Sequence, residues 1–366
     1  MMKRVFRKFF LLLAALLWSI AASAQVDTIS DNFDSQDSIR INPDIVYEVA
    51  GGDVAIPGFI RRSANHIEMN GADWSALKAK SAAGDGVISV VHIGDSHIQA
   101  EIGTSVTREM LQLRFGNAGR GLLSPRRLAG TNQPYDYRFE SSRQWSSEKF
   151  MRAPWTNPMG FNGASLTLNG GVADITLSTV ESDDDYNPFT RVTVFYSGEM
   201  IVTGVSDGDG IEVPATVVTS PGMTTLELWT SQTRVKIGFT MEGRFTLFGA
   251  TLSGERPGVV YHAIGNNGAT YSTYNRIASL GSGVAALDPD LIIISLGANE
   301  AFGRLELAAF RRSVSQMIST LRRENPQAQL LIVTPMECQR KQRKSRRRSA
   351  TYVVNSNILP LRNELL

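Results

Sequence analysis

The 366-residue sequence predicts an α/β protein: a parallel sheet covered by helices, interrupted by an inserted β-sandwich-like domain. Three observations point there. Apolar, β-branched runs such as "GVISVVHI" end in polar turns that contain glycine. Segments with apolar residues every three or four positions follow those turns. Between the first and second such units, residues 135–254 carry only short strand-like runs, including "ASLTLN", "TRVTVFYS" and "TRVKIGFT". The hydrophobic fraction of 42% and charged fraction of 20% suit a chain of this length that buries a sizeable core.

The N-terminus sets the expected compartment. Lys3, Arg4, Arg7 and Lys8 precede an apolar run from Phe9 to Ile20, and Ala22-Ser23-Ala24 is a small-x-small cleavage site. This is the three-part pattern of a secretory signal, so residues 1–24 are expected to be removed on export. The run is short for a membrane span of ~20 residues. Cys338 is the single cysteine, which rules out an internal disulfide and a cysteine-based metal cluster. Export without disulfides suits a bacterial periplasm or the extracellular space. Residues 25–55, with "DTISDNFDSQDS", read as a flexible polar leader.

Net charge is +2, but the signal holds four cations and no acid, so the rest nets −2. The tract "RKQRKSRRR", Arg340 to Arg348, holds seven more cations and reads as a solvated loop, with contact to an anionic envelope polymer as the sharper reading. An acidic body with one basic tract is a poor nucleic-acid binder, and no nucleic-acid partner is expected.

Along the chain, "GADWSALKAKSAAG" predicts a short helix closed by Gly84. "GVISVVHI" predicts a strand buried on both faces. After it, Ile98, Ile102, Val106, Met110 and Leu113 predict one amphipathic helix running to about Phe115. "FGNAGRGLLSP" reads as a glycine-rich loop. The α/β pattern returns at "PGVVYHAIGNNGAT", a strand to Ile264, a glycine turn and a helix. "PDLIIISLGANE" is another strand and turn. "LELAAFRRSVSQMISTLRREN" is an amphipathic helix, and "AQLLIVTPM" a further strand. The expected organisation is therefore a first part of one domain at 56–134, the insertion at 135–254, and the second part at 255–366.

Ligands of open parallel sheets bind at the carboxyl ends of the strands. Three turns fall there: "GDSH", "GNNGAT" and "GANE". A serine on a strand-to-helix turn lies beside backbone N–H groups that favour developing negative charge. A glycine N–H and an asparagine amide would complete such a set of donors. Alone, "GDS" is a weak signal, because Asp or Ser also caps helices. Its placement with two similar turns, in order, is a stronger one.

These blocks resemble the SGNH superfamily, the GDSL-type esterases and lipases. Gly94-Asp95-Ser96 match the first block, with His97 where the family name has Leu. The resemblance implies that Ser96 is the nucleophile. Gly268 best matches the oxyanion glycine of the second block, with Gly265 as the other choice. Gly297-Ala298-Asn299 match the third block, with Glu300 in place of Asp, and Asn299 takes the oxyanion role. The implied fold is a flavodoxin-like three-layer α/β/α sheet. "GDSH" with a β-rich insertion resembles the bacterial peptidoglycan and carbohydrate O-acetylesterases. This implies an acetylated polysaccharide or peptidoglycan as substrate and a carbohydrate-binding-like inserted module.

One block is missing. The family's DxxH, which supplies the base and its acid, has no match in the sequence. Of the four histidines, His92 and His262 lie in strands and are expected to be structural, His66 precedes the core, and His97 adjoins Ser96 but should point away. The ending "YVVNSNILPLRNELL" reads as the start of a further helix. The expectation is a chain truncated at its C-terminus, with Asp and His beyond Leu366 and little activity as it stands. No cofactor and no metal is expected: there is no Walker motif and no histidine pair at ligand spacing, and "SDGDGIEV" reads as a hairpin turn. The alternative to an esterase is a non-catalytic glycan-binding envelope protein, using Trp145, Trp155 or Trp229, although these tryptophans are expected to lie in the core.

Overall fold

The computed structural model describes residues 67–179, 187–303 and 305–335, and the backbone of 339–343 and 350–354. The expected signal and leader at residues 1–55, His66, Cys338 and the chain after Val354 lie outside the described residues.

The order of elements begins with α1 (Ser75–Ala83), β1 (Val87–Gly94), α2 (Ser96–Gln99), α3 (Ile102–Phe115), β2 (Asn117–Gly119) and β3 (Gly121–Leu123). A run of strands follows: β4 (Tyr137–Glu140), β5 (Ser146–Ser147), β6 (Leu166–Thr179), β7 (Phe189–Ser197), β8 (Ile201–Ser206), β9 (Ala215–Ser220), β10 (Met223–Gln232) and β11 (Arg234–Ser253). Alternation then resumes with β12 (Gly258–Gly265), α4 (Tyr271–Tyr274), α5 (Leu280–Ala285), β13 (Leu291–Ser295), α6 (Ala298–Phe302), α7 (Leu307–Glu324) and β14 (Gln329–Ile332). A two-stranded ladder of β15 (Gln339–Arg343) and β16 (Ala350–Val354) comes last.

The first sheet is parallel, in the order β14-β13-β1-β12-β2. Side chains alternate across β1. Val91 and Ile93 face a core shared with α4, α5 and α7, while Ile88 and Val90 face one that Leu77 of α1 and Leu111 and Phe115 of α3 cover. The result is the three-layer α/β/α arrangement. Ile93, Ile264 and Ile294 are fully buried on adjacent strands, each contributing on the order of 1.5–3 kcal/mol.

The second sheet is antiparallel, in the order β4-β6-β11-β7-β10-β9, with β3 and β8 also on β11 and β5 on β6. It surrounds its own core, in which Phe139, Phe189, Phe239 and Phe245 are buried. An antiparallel β module thus lies between the first and second strand-turn units of a parallel α/β sheet.

Three sequence expectations change. The glycine-rich "FGNAGRGLL" is two short strands, because its partners are distant: β2 pairs with β12 in the first sheet, β3 with β11 in the second. Gly119 and Gly121 have φ of 133° and 84°, and a Cβ on either would run into backbone of β11 or β12. The helix after "GDSH" is broken at Glu101, whose φ of 52° ends α2 and starts α3 on a new register. Ile102 and Leu113 are consequently exposed, and α3 buries Thr104, Ser105, Val106, Arg108 and Gln112. The basic tract reads as a loop in sequence, yet residues 339–343 form a strand.

The tryptophans also divide. Trp145 packs against the second core and donates to Ser141 Oγ at 2.9 Å, and Trp155 stacks on Phe150. Trp229 is 73% exposed, contrary to the core expectation, because it lies near the end of β10 where the ladder with β7 is irregular. The "SDGDGIEV" segment is a turn organised by Asp207, whose carboxylate accepts from Asp209 and Ile211 N–H groups.

Candidate active site

Strand register brings the three turns together. Gly94 at the end of β1 is level with Gly265 of β12 and with Ser295 of β13. "GDSH", "GNNGAT" and "GANE" therefore leave the same edge of the sheet side by side, at the strands' carboxyl ends.

The first turn is tight for a steric reason. A Cβ on Gly94 would overlap Ile98 and come within 2.8 Å of Ser295 O, and one on Gly265 would overlap the backbone of Ile98 and Gln99. The start of α2 is thus laid directly onto the neighbouring strand end. Asp95 caps that helix: its Oδ1 accepts from His97 N at 2.9 Å and is 2.8 Å from His97 Nδ1. The hydrogen bond to Asp95 raises the His97 pKa, against partial burial. Ser96 occupies the first position of α2, half-buried. Among the described residues, no side chain is hydrogen-bonded to its Oγ.

Side chains that the motifs do not mark hold the turns in place. Gln99 accepts from Asn267 N at 2.6 Å and donates to Thr131 Oγ1 and Asn132 O at 3.0 and 3.2 Å. It thereby ties α2 to the second turn and to the loop after β3. The Tyr274 hydroxyl, fully buried, lies 2.7 Å from Gly94 O and 3.0 Å from Asn266 Nδ2. Gly268 has φ of 77° and lies against Met151. Asn299 joins all three turns, donating to Ala269 O at 2.9 Å and reaching Asp95 Oδ2 at 3.3 Å. Glu300 accepts from Tyr271 N at 2.8 Å, at the start of α4, and burial raises its pKa. Gln99 and Tyr274 carried no sequence signal, because their partners are far away in the chain.

The other described histidines lie within strands, away from Ser96. His92 has Tyr261 OH and Ser295 Oγ each 2.6 Å from a ring nitrogen. His262 is 4% exposed in the sheet. Burial lowers the pKa of both to about 3. Neither touches Ser96.

A family model described as the GDSL-like Lipase/Acylhydrolase family matches residues 237–358, which include Gly268 and Asn299 but not Ser96. That match covers the second and third of the three turns and the strands β12, β13 and β14 of the parallel sheet. Over residues 237–358 the chain is similar to that family. Among solved structures, this chain is similar to a peptidoglycan O-acetylesterase, with 20% identity and a TM-score of 0.61 over 81% of this chain and 80% of that one. A family two carbohydrate esterase from Cellvibrio japonicus also matches, at 12% identity and a TM-score of 0.22, over 63% of this chain and 84% of that one. No curated protein matches. At the coarse level these likenesses are to ester hydrolases. No described helix is long and apolar enough to cross a membrane.

Proposed function

We propose that this chain is an exported serine ester hydrolase that removes O-acetyl groups from peptidoglycan or another polysaccharide. Ser96 Oγ attacks the ester carbonyl. The N–H groups of Ser96 and Gly268 and the amide of Asn299 receive the oxyanion, the carbohydrate oxygen leaves with the proton lost by the Ser96 hydroxyl, and water then cleaves the acetyl-Ser96 ester to acetate and restores the serine. The observation that carries this reading is the common level of Gly94, Gly265 and Ser295, from which the three turns emerge together. Asp95 orients His97 and caps α2 rather than acting on the ester. The likeness to a peptidoglycan O-acetylesterase supports the substrate class and an exported location.

No base contacts Ser96 Oγ among the described residues, so unaided turnover should be slow. A diffusible base should therefore help. Purified 366-residue protein is incubated with 4-nitrophenyl acetate, with and without imidazole, alongside Ser96→Ala under identical conditions. The expected result is an imidazole-stimulated rate in the wild type beyond that of the variant. Equal rates in the two proteins at every imidazole concentration would overturn the reading. They would favour the glycan-binding alternative, for which the exposed Trp229 is the relevant observation.

A further inference from the structure

Arg126 is 3% exposed, yet its Nε and Nη2 have no hydrogen-bond partner. Buried guanidinium groups are normally paired, because removing the charge from water is costly. The neighbouring arginines each have carboxylate partners, although the Nε of each also lacks a hydrogen bond. Arg108 reaches Asp136 at 2.6 Å, and Arg120 reaches Glu101 and Asp136 at 2.5 and 3.0 Å. Arg126 shares a field with that cluster, since its charge acts on Glu101 and Tyr137, but among the described residues no carboxylate pairs with it.

The position of Arg126 links it to the ester-binding edge. It belongs to the loop after β3, where its carbonyl accepts from Thr131 N at 2.9 Å. Gln99, three residues after Ser96, fastens the same loop to the second turn. The Arg126 charge also acts on the Tyr274 hydroxyl, which lies beneath Gly94. On the outer side, Lys149 Nζ donates to Ala129 O at 3.1 Å, and Met151 of that second loop covers Gly268. Arg127, Lys149 and Arg152 are exposed on these two loops. A protein whose remaining residues are acidic thus presents cations beside the three turns.

The two unpartnered nitrogens specify the ligand. Nε–H and Nη2–H run parallel along one edge of the guanidinium, a spacing that matches the two oxygens of a carboxylate. We propose that Arg126 is the receptor for a carboxylate carried by the acylated glycan, so that the substrate is an anionic sugar polymer. The proposal rests on the ester hydrolase reading for the origin of its ligand.

Binding can be measured without turnover, in the full chain carrying Ser96→Ala. The probes are the N-acetylglucosamine–N-acetylmuramic acid disaccharide, with one carboxylate, its neutral counterpart chitobiose, and acetate, titrated by calorimetry. The acidic disaccharide should bind roughly tenfold or more tighter than chitobiose, and Arg126→Met should abolish that preference. Because Arg126 lacks a partner, Arg126→Met should melt at the same temperature or higher, as expected when an unpaired charge is removed. Equal binding of the two disaccharides would overturn the proposal, as would acetate binding as tightly as the acidic disaccharide. So would an Arg126→Met protein that melts lower and keeps the preference. If the carboxylate preference stands while no Ser96-dependent hydrolysis is seen, the hydrolase reading fails alone.

Discussion

The amide nitrogen of Asn299 has two hydrogens and two acceptors nearby, Ala269 O at 2.9 Å and Asp95 Oδ2 at 3.3 Å. The shorter bond fixes the side chain. The longer one is the bond a substrate oxyanion would replace, so the donor is oriented before substrate arrives. Asn299→Ala should therefore lower imidazole-assisted kcat by about 10²–10³-fold with a smaller change in KM. Equal loss in KM alone would show that Asn299 binds the ground state instead. This residue was visible in sequence through "GANE" after a strand. Arg126 was not: an arginine in "SPRRLAG" looks like any surface cation, and only its burial without a partner marks it.

At the scale of elements, strand-turn-helix order was legible because apolar runs and their turns are local in the sequence. Helix register was less so. Ile98 and Ile102 appeared to lie on one face, but Glu101 adopts positive φ between them. Its carboxylate is held by Arg120 from beyond α3, so a contact distant in sequence overrides local periodicity. Packing of α2 onto β12 depends on Gly265, where a Cβ would meet backbone, not a flexible side-chain end. Gly265→Ala should cost about 1–3 kcal/mol in urea unfolding. It should also reduce Ser96-dependent turnover, since α2 carries the serine. A variant with unchanged stability and turnover would show that α2 can move aside.

For the molecule as a whole, buried histidines couple stability to pH. His92 and His262 have an ordinary pKa of 6.5 that is lowered to about 3, by burial in His92 and by burial together with the Arg120 charge in His262. The folded protein keeps them neutral while the unfolded chain binds protons below 6.5. Their contribution is thus fully present above that pH and lost as pH falls toward 3, by about 2 kcal/mol per histidine at pH 5. His97 works in the opposite direction, because its pKa is raised, but its exposed ring leaves that contribution screened. Urea unfolding at pH 7 and pH 5 should show the loss, and His92→Gln should reduce it. An unchanged midpoint between the two pH values would contradict it.

The sequence by itself determined the alternation of strands and helices, the β-rich interruption and the three turns that carry Ser96, Gly268 and Asn299. Each of these is written in neighbouring residues through period, β-branching and glycine. Tertiary structure alone decided that β2 and β3 stitch the two sheets, that Gln99 and Tyr274 lock the turns, and that Arg126 is buried without a counter-ion among the described residues. Those facts depend on residues far apart in the chain meeting in a medium where an unpaired charge or a misplaced Cβ is expensive.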